Sequence, residues 1–257
     1  MVIVFPVADR DFDLALPVAK WMRKLGPYPR HDALLVWSEE LSSEKREKIA
    51  DEFRNMGWKD KPRAMVARIL RQTWPDAPND IFRQAAKMVA EDPLLKRPWY
   101  FMEPDCTPMV NGWADMLAEQ YNLDLSRPFL GCIEDTYEKI NATGQLVKIG
   151  RHMVGPGLYP ASLSQFTQAH EYCAAAFDLA ISRDIIPHAR HTGLIQHNWS
   201  TGNYRKDESG KIVCDAMPLR FQQHGQPKTM TVNPEAVVVH GCKDSSLLRI
   251  LLDSAQN

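Results

Sequence analysis

The chain has 257 residues, 44% hydrophobic and 25% charged, with 31 basic against 32 acidic side chains and a formal net charge of −1. That balance excludes a globally basic polyanion binder, and seven Trp, seven Tyr and nine Phe exclude a disordered chain, because so much aromatic surface is not left in water. Five cysteines (Cys106, Cys132, Cys173, Cys214, Cys242) are widely spaced and contain no CxxC, which argues against a disulfide framework or structural zinc and for a reducing, cytoplasmic setting.

Residues 2–7 form a short apolar run without a basic leader, read as a buried strand and not a signal peptide. Asp13 is expected to cap a helix carrying Leu14, Val18, Met22 and Leu25 at helical spacing, stopped by Gly26. Residues 32–38 read as a second buried strand. Ser43 opens a charged helix with Ile49, Phe53 and Met56 on one face, ended by Gly57. Between Trp58 and Trp74 lie Lys59, Lys61, Arg63, Arg68 and Arg71. The spacing predicts an amphipathic helix with Met65, Ile69 and Leu70 inward; alternatively, basic residues interleaved with aromatics track a phosphate backbone. Asn79 is expected to cap a further helix using Ile81, Phe82, Ala85, Met88 and Val89.

An apolar run at 98–102 breaks into Glu103-Pro104-Asp105-Cys106, and residues 112–121 read as a helix. Two strand-like runs follow, at 128–133 and 192–197, with a helical region at 162–182 between them. Residues 202–235 are turn-rich and predict a long loop or small hairpin, before a strand at 236–240 and a helix at 245–254. No apolar run approaches the ~20 residues of a membrane span. Strands alternating with helices predict a mainly parallel α/β sheet flanked by helices, with ligands beyond the carboxyl ends of the strands.

No GxxxxGK[ST], GxSxG or HExxH motif is present, and Gly155-Pro156-Gly157 lacks the third glycine of a dinucleotide fingerprint. Two strand ends carry chemistry. Glu103 and Asp105, two positions apart on an extended segment, would point the same way and offer hard oxygen ligands to Mn²⁺ or Mg²⁺. At the other, His240-Gly241-Cys242-Lys243, an imidazole can add a ligand, Gly241 admits close backbone approach, and Lys243 brings a point charge suited to phosphate.

The acidic pair after a strand resembles the metal-binding DxD element of GT-A-fold, nucleotide-sugar-dependent glycosyltransferases. His-Gly-x-Lys is similar to the end of the HxxGxxK motif in their glycogenin-like and lipopolysaccharide-galactosyltransferase branch. The first carboxylate is Glu instead of Asp, Pro104 stands between the two, and the His motif is shorter. The resemblance implies a single GT-A-like, Rossmann-like domain over 1–257, with a nucleotide-binding half (1–110) and an acceptor-binding half (111–257). It implies Asp105 and His240 as metal ligands, His197 being the rival imidazole, and Glu103, Gly241 and Lys243 at the diphosphate or sugar. Pro6, Val7, Ala8, Asp9 and Arg10 would line the base and ribose pocket. On the acceptor side stand Arg151, His152 and Tyr159, in a Gly- and Pro-rich loop of fixed shape, and Trp199 and Asn203 after a strand. An inverting reaction needs a carboxylate base, for which Glu134, Asp135 and Asp178 are candidates.

The reaction so implied moves a sugar from a nucleotide-diphosphate donor, UDP-linked by expectation, to an acceptor hydroxyl on a saccharide, a protein or a hydroxymethylated base in bacteriophage DNA. Two other classes compete. Nucleotidyltransferases share such a sheet but usually carry a glycine-rich basic loop after the first strand, where this chain has Pro6-Val7-Ala8-Asp9-Arg10. A non-catalytic nucleic-acid-binding protein would use the basic stretch at 59–71.

Overall fold

The structure is a computed structural model and describes residues 1–70, 75–139, 146–165, 175–200, 202–216 and 229–255. Its main sheet has seven strands: β1 (Val2–Val7), β2 (Asp32–Ser38), β3 (Arg63–Ala67), β4 (Trp99–Phe101), β6 (Phe129–Lys139), β7 (Leu146–Tyr159) and β8 (Ala189–His191). Their order is β3-β2-β1-β4-β7-β6-β8. The four strands from β3 to β4 run parallel, as does the β6–β8 pair, while β7 is antiparallel to both neighbours.

The parallel half follows from the sequence pattern. Every residue of β1 and β2 is buried, because helices cover both faces. Side chains alternate between two cores. Ile3, Phe5 and Val7 join the core shared with α1 (Phe12–Leu25), α2 (Ser43–Arg54) and α4 (Trp113–Asn122). Val2 and Val4 join the core shared with α3 (Asp76–Glu91). Pro6 is tolerated inside β1 because the carbonyl of Val4 already faces Met102, just past β4. Two positions on, the proline nitrogen looks beyond the end of that short strand, and no ladder bond is lost.

A second, three-stranded sheet joins β5 (Cys106–Pro108), β13 (Val238–His240) and β9 (Ile195–His197) in the order β5-β13-β9. A third joins β10 (Arg205–Lys206), β11 (Ile212–Asp215) and β12 (Thr229–Thr231). The helices α5 (Phe177–Ala180), α6 (Ser182–Ile185) and the C-terminal α7 (Ser246–Ser254) complete the fold. Among the described residues no helix is long and apolar enough to cross a membrane.

Several local expectations are corrected. Residues 63–67 form the edge strand β3, not a helix; Leu70 is 53% exposed, and Arg71 to Trp74 lie outside the described residues. Trp58 is half-buried and packs against the core, its ring stacked on Tyr28 and Phe53 at 4.6 and 5.7 Å and its indole N–H donated to the Phe53 carbonyl. The supposed fixed loop around 150–160 is the body of β7. Ser43 does open α2, and Ser42 before it caps the helix by accepting from the Lys45 amide. Asp11, not Asp13, is the residue before α1. Asn79 sits inside α3, buried, donating to the Ala175 carbonyl at 2.9 Å. The polar 202–235 region carries the third sheet, with 217–228 outside the described residues. Of the helix expected at 162–182, residues 166–174 lie outside them as well; the rest gives only short turns.

Candidate active site

The carboxyl ends of β1 and β4 open onto a cavity of about 530 Å³. The backbone after β1 bends into a 3-10 turn, Asp9–Asp11, which places Ala8, Asp9, Arg10 and Asp11 on one wall. After β4 the chain turns at Pro104, so Glu103 and Asp105 converge through a turn and not along a pleated segment.

The small sheet brings the distant imidazole to them. Within it His240 stands opposite Cys106 on β5 and opposite His197 on β9. The Cys242 amide donates to the Asp105 carbonyl at 2.9 Å, locking the end of β13 against the acidic turn. His240 Nε2 therefore lies 3.1 Å from Glu103 Oε2 and 3.3 Å from Asp105 Oδ1. Lys243 Nζ pairs with Asp105 Oδ2. Gly241 makes this turn possible: its φ is +90°, and an added Cβ would lie 2.0 Å from the Asn198 carbonyl oxygen. Gly155 on β7 makes room in another way, since a Cβ there would meet Glu103 Oε1 and Phe177, both at 2.9 Å.

The electrostatics follow from burial and pairing. Burial works against the Asp105 carboxylate, but His240 and then Lys243 outweigh it and hold its pKa well below the ordinary 3.8. Burial also opposes the His240 imidazolium, yet Asp105 and Glu103 raise its pKa to about 10. The Lys243 ammonium is likewise disfavoured by burial but held above its usual value by Asp105 and Glu103. Elsewhere on the cavity wall, burial raises the Asp178 carboxyl; the His152 charge opposes this and Glu103 adds to it. Burial also raises Asp11, which sits within the field of Arg10 and Asp105.

Ligand atoms of Glu103, Asp105 and His240 all lie within 4.8 Å of one another, and this is the group of such residues found among the described ones. Two carboxylate oxygens and one imidazole nitrogen fit a hard or borderline divalent cation such as Mn²⁺ or Mg²⁺. Lys243, which pairs with the same Asp105 carboxylate, has a side chain 54% exposed.

No family model and no curated protein matches the chain. Solved structures do. An active-site mutant of the galactosyltransferase LgtC superposes with a TM-score of 0.55 at 12% identity, covering 99% of this chain and 96% of that one. The apo structure of the bifunctional glycosyltransferase WbbM gives 0.54 at 6% identity, over 95% of this chain and 46% of that one. Apo mouse xyloside xylosyltransferase 1 gives 0.51 at 10% identity, over 94% and 98%. The chain has the GT-A glycosyltransferase fold.

Within this GT-A fold the cavity gathers Pro6, Ala8, Asp9, Arg10, Glu103, Asp105, His152, Asp178, His197, Trp199, His240 and Lys243 from the sequence candidates. Other candidates lie elsewhere. Val7 is fully buried in the core, and Gly241 acts through its backbone at the turn. Tyr159 is fully buried, donating to the Gly155 carbonyl at 2.7 Å. Asp135 pairs with Lys148 at 2.8 Å and Arg151 at 3.3 Å on the outer part of the β6–β7 hairpin. Glu134 stands behind the wall, accepting from Trp199 Nε1 at 2.6 Å. Asn203 is exposed, its amide bonded to Asp244 Oδ2. Sequence reasoning overlooked Asp11, Glu40, Ile81 and Phe177 on the cavity wall. Only Asp11, two positions past Asp9, carried a visible signal; Ile81 and Phe177 are ordinary helix residues until the helices are placed, and Glu40 lies in the turn after β2.

Proposed function

We propose that the protein is a cation-dependent glycosyltransferase that moves a sugar from a nucleotide-diphosphate donor, preferably a UDP-sugar, to an acceptor hydroxyl. The observation that carries this reading is the convergence of Glu103, Asp105 and His240 at the carboxyl ends of parallel strands, with Lys243 alongside, on a fold shared with glycosyltransferases. Asp105 and His240 would hold Mn²⁺ or Mg²⁺, with Glu103 completing the set or facing the sugar. When bound, the cation supplies positive charge to the leaving diphosphate as the glycosidic bond breaks.

The chain's own residues do the rest. Lys243 and the Gly241 backbone receive phosphate oxygens at the end of β13. The wall from Pro6 to Arg10 receives base and ribose, with Asp9 accepting from one of them. Among the candidate bases Asp178 alone lines the cavity, and a buried carboxyl of raised pKa takes a hydroxyl proton more readily than a solvated one. The acceptor enters along His152, Asp178 and Trp199, where the indole face suits a saccharide ring. In this reading residues 1–110 bring the donor wall, 111–257 bring the acceptor wall, and β13 returns the cation ligand to the donor side.

Thermal denaturation with UDP, UDP-sugars, GDP and NTPs, with and without Mn²⁺, tests the proposal. A nucleoside diphosphate at a hundredfold excess over its Kd should stabilise the protein by about 2.7 kcal/mol, and only with the cation. Asp105→Ala and His240→Ala should abolish that stabilisation and sugar-nucleotide turnover. Lack of stabilisation by any nucleotide refutes the donor assignment, while stabilisation by NTPs alone favours nucleotidyl transfer. A DNA-borne acceptor is the second reading, carried by the exposed Lys59, Lys61 and Arg68. It requires salt-sensitive duplex binding that Lys61→Glu with Arg68→Glu removes.

A further inference from the structure

His240 presents Nε2 to the two carboxylates, and its other nitrogen has a partner too. His240 and His197 stand opposite each other on the parallel strands β13 and β9, and their Nδ1 atoms are 2.7 Å apart. The rings lie 4.5 Å apart between centroids, tilted by 38°. Two imidazole nitrogens this close share one hydrogen: one donates and the other accepts.

The direction of that bond is decided at the far side of His240. Nε2 faces Glu103 and Asp105, so it must offer a lone pair if it is to take a cation. The ring hydrogen of the neutral imidazole is then on Nδ1 and points at His197, whose Nδ1 accepts it. We propose that His197 is a positioning residue for the cation site: it holds His240 in the tautomer that bares Nε2 and fixes the plane of its ring. This inference rests on the cation reading above, and it gives His197 a role other than rival ligand, since its Nδ1 is engaged by His240.

The surroundings hold His197 itself in place. Trp199 packs edge-on against it at 4.8 Å and 84°, and is anchored in turn by its N–H to Glu134 Oε2. The Asn198 amide donates to the His240 carbonyl at 2.9 Å, so the two strands cannot slip past one another without breaking a backbone bond. Partners of this kind, one shell out from a metal, fix tautomer and orientation, and their loss weakens metal affinity by about 10- to 100-fold.

The test is Mn²⁺ binding to the nucleotide-free protein, followed by electron paramagnetic resonance, for wild type, His197→Leu and His197→Asn, with circular dichroism melts to confirm folding. His197→Leu should weaken Mn²⁺ binding by about 10- to 100-fold. His197→Asn, whose side-chain carbonyl can accept the same hydrogen, should restore most of it. Nitrogen NMR of histidine-labelled wild type loaded with Mg²⁺ should show His240 protonated at Nδ1 and bare at Nε2; this arm stands even if His197→Leu does not fold. Wild-type affinity in His197→Leu, no recovery in His197→Asn, or a proton on His240 Nε2 in the loaded protein overturns the assignment. Wild type that binds no Mn²⁺ overturns the cation reading first and this inference with it.

Discussion

Replacing Gly241 by alanine puts one methyl group at the point where the candidate site is stitched together. Two costs arise. The residue has φ +90°, and an L side chain in left-handed backbone costs about 1–2 kcal/mol. The new Cβ would also lie 2.0 Å from the Asn198 carbonyl oxygen, a rigid backbone atom, so the strand ends must part by about 1 Å, an overpacking cost of about 1–3 kcal/mol. Together these predict a loss of about 2–5 kcal/mol in cation-free urea unfolding. Gly210→Ala is the control: its φ is +80° but nothing lies within 4 Å of the added Cβ, so only the backbone cost of about 1–2 kcal/mol applies. Because Asn198 adjoins His197 and Gly241 adjoins His240, parting the strands also moves the imidazoles. Misplacement by about 1 Å can cost on the order of 10²-fold in rate. The assay is urea unfolding of both variants together with Mn²⁺-dependent UDP-sugar turnover. Gly241→Ala no less stable than Gly210→Ala, with wild-type turnover, would refute the reasoning.

Asp178→Asn separates stability from activity. Burial, aided by Glu103 and opposed by His152, raises the folded pKa of Asp178, so its charged form destabilises the fold as pH rises above the unfolded value near 3.8. Asn should therefore stabilise the protein near neutrality, with the gain vanishing below that pH, while turnover falls by about 10²- to 10⁴-fold; unchanged turnover rejects Asp178 as the base. His31 titrates in the opposite sense. Burial lowers its pKa below 6.5, opposed by Asp115 at 2.9 Å, so the unfolded chain takes up the proton first and stability falls as pH drops through 6.5 toward the folded value. His31→Gln should flatten urea midpoints between pH 7.5 and 5; a parallel decline in both proteins would remove His31 as the cause. Trp58→Ala should destabilise the protein by about 3 kcal/mol through loss of its stacked ring and leave any DNA binding unchanged. Weakened DNA binding without loss of stability would return that residue to the surface.

Some of this molecule was legible in the order of its residues. Val2–Val7 and Asp32–Ser38 announce themselves because a strand covered by helices on both faces must be apolar throughout. The edge strand Arg63–Ala67 did not, because an edge protected by charges loses the apolar run that marks a strand. The interior of Leu146–Tyr159 was hidden for another reason. Two of its glycines serve close packing instead of turns: Gly157 sits against Met153, and Gly155 admits Glu103 and Phe177.

The site divides in the same way. That Glu103, Asp105, His240 and Lys243 are candidates for one site could be read from residue type and strand ends alone, since carboxylates, an imidazole and a lysine at the ends of apolar strands suit a cation and a phosphate. That Asp105 and Lys243, 138 positions apart, form one cluster depends on the pairing of Cys106 with His240 in the small sheet. The role of His197 depends on register, because a slip of one residue along β9 would turn its ring to the opposite face. Local pattern states what each segment can offer. Contacts distant in the chain are made by packing and strand pairing, and no window of sequence contains both partners.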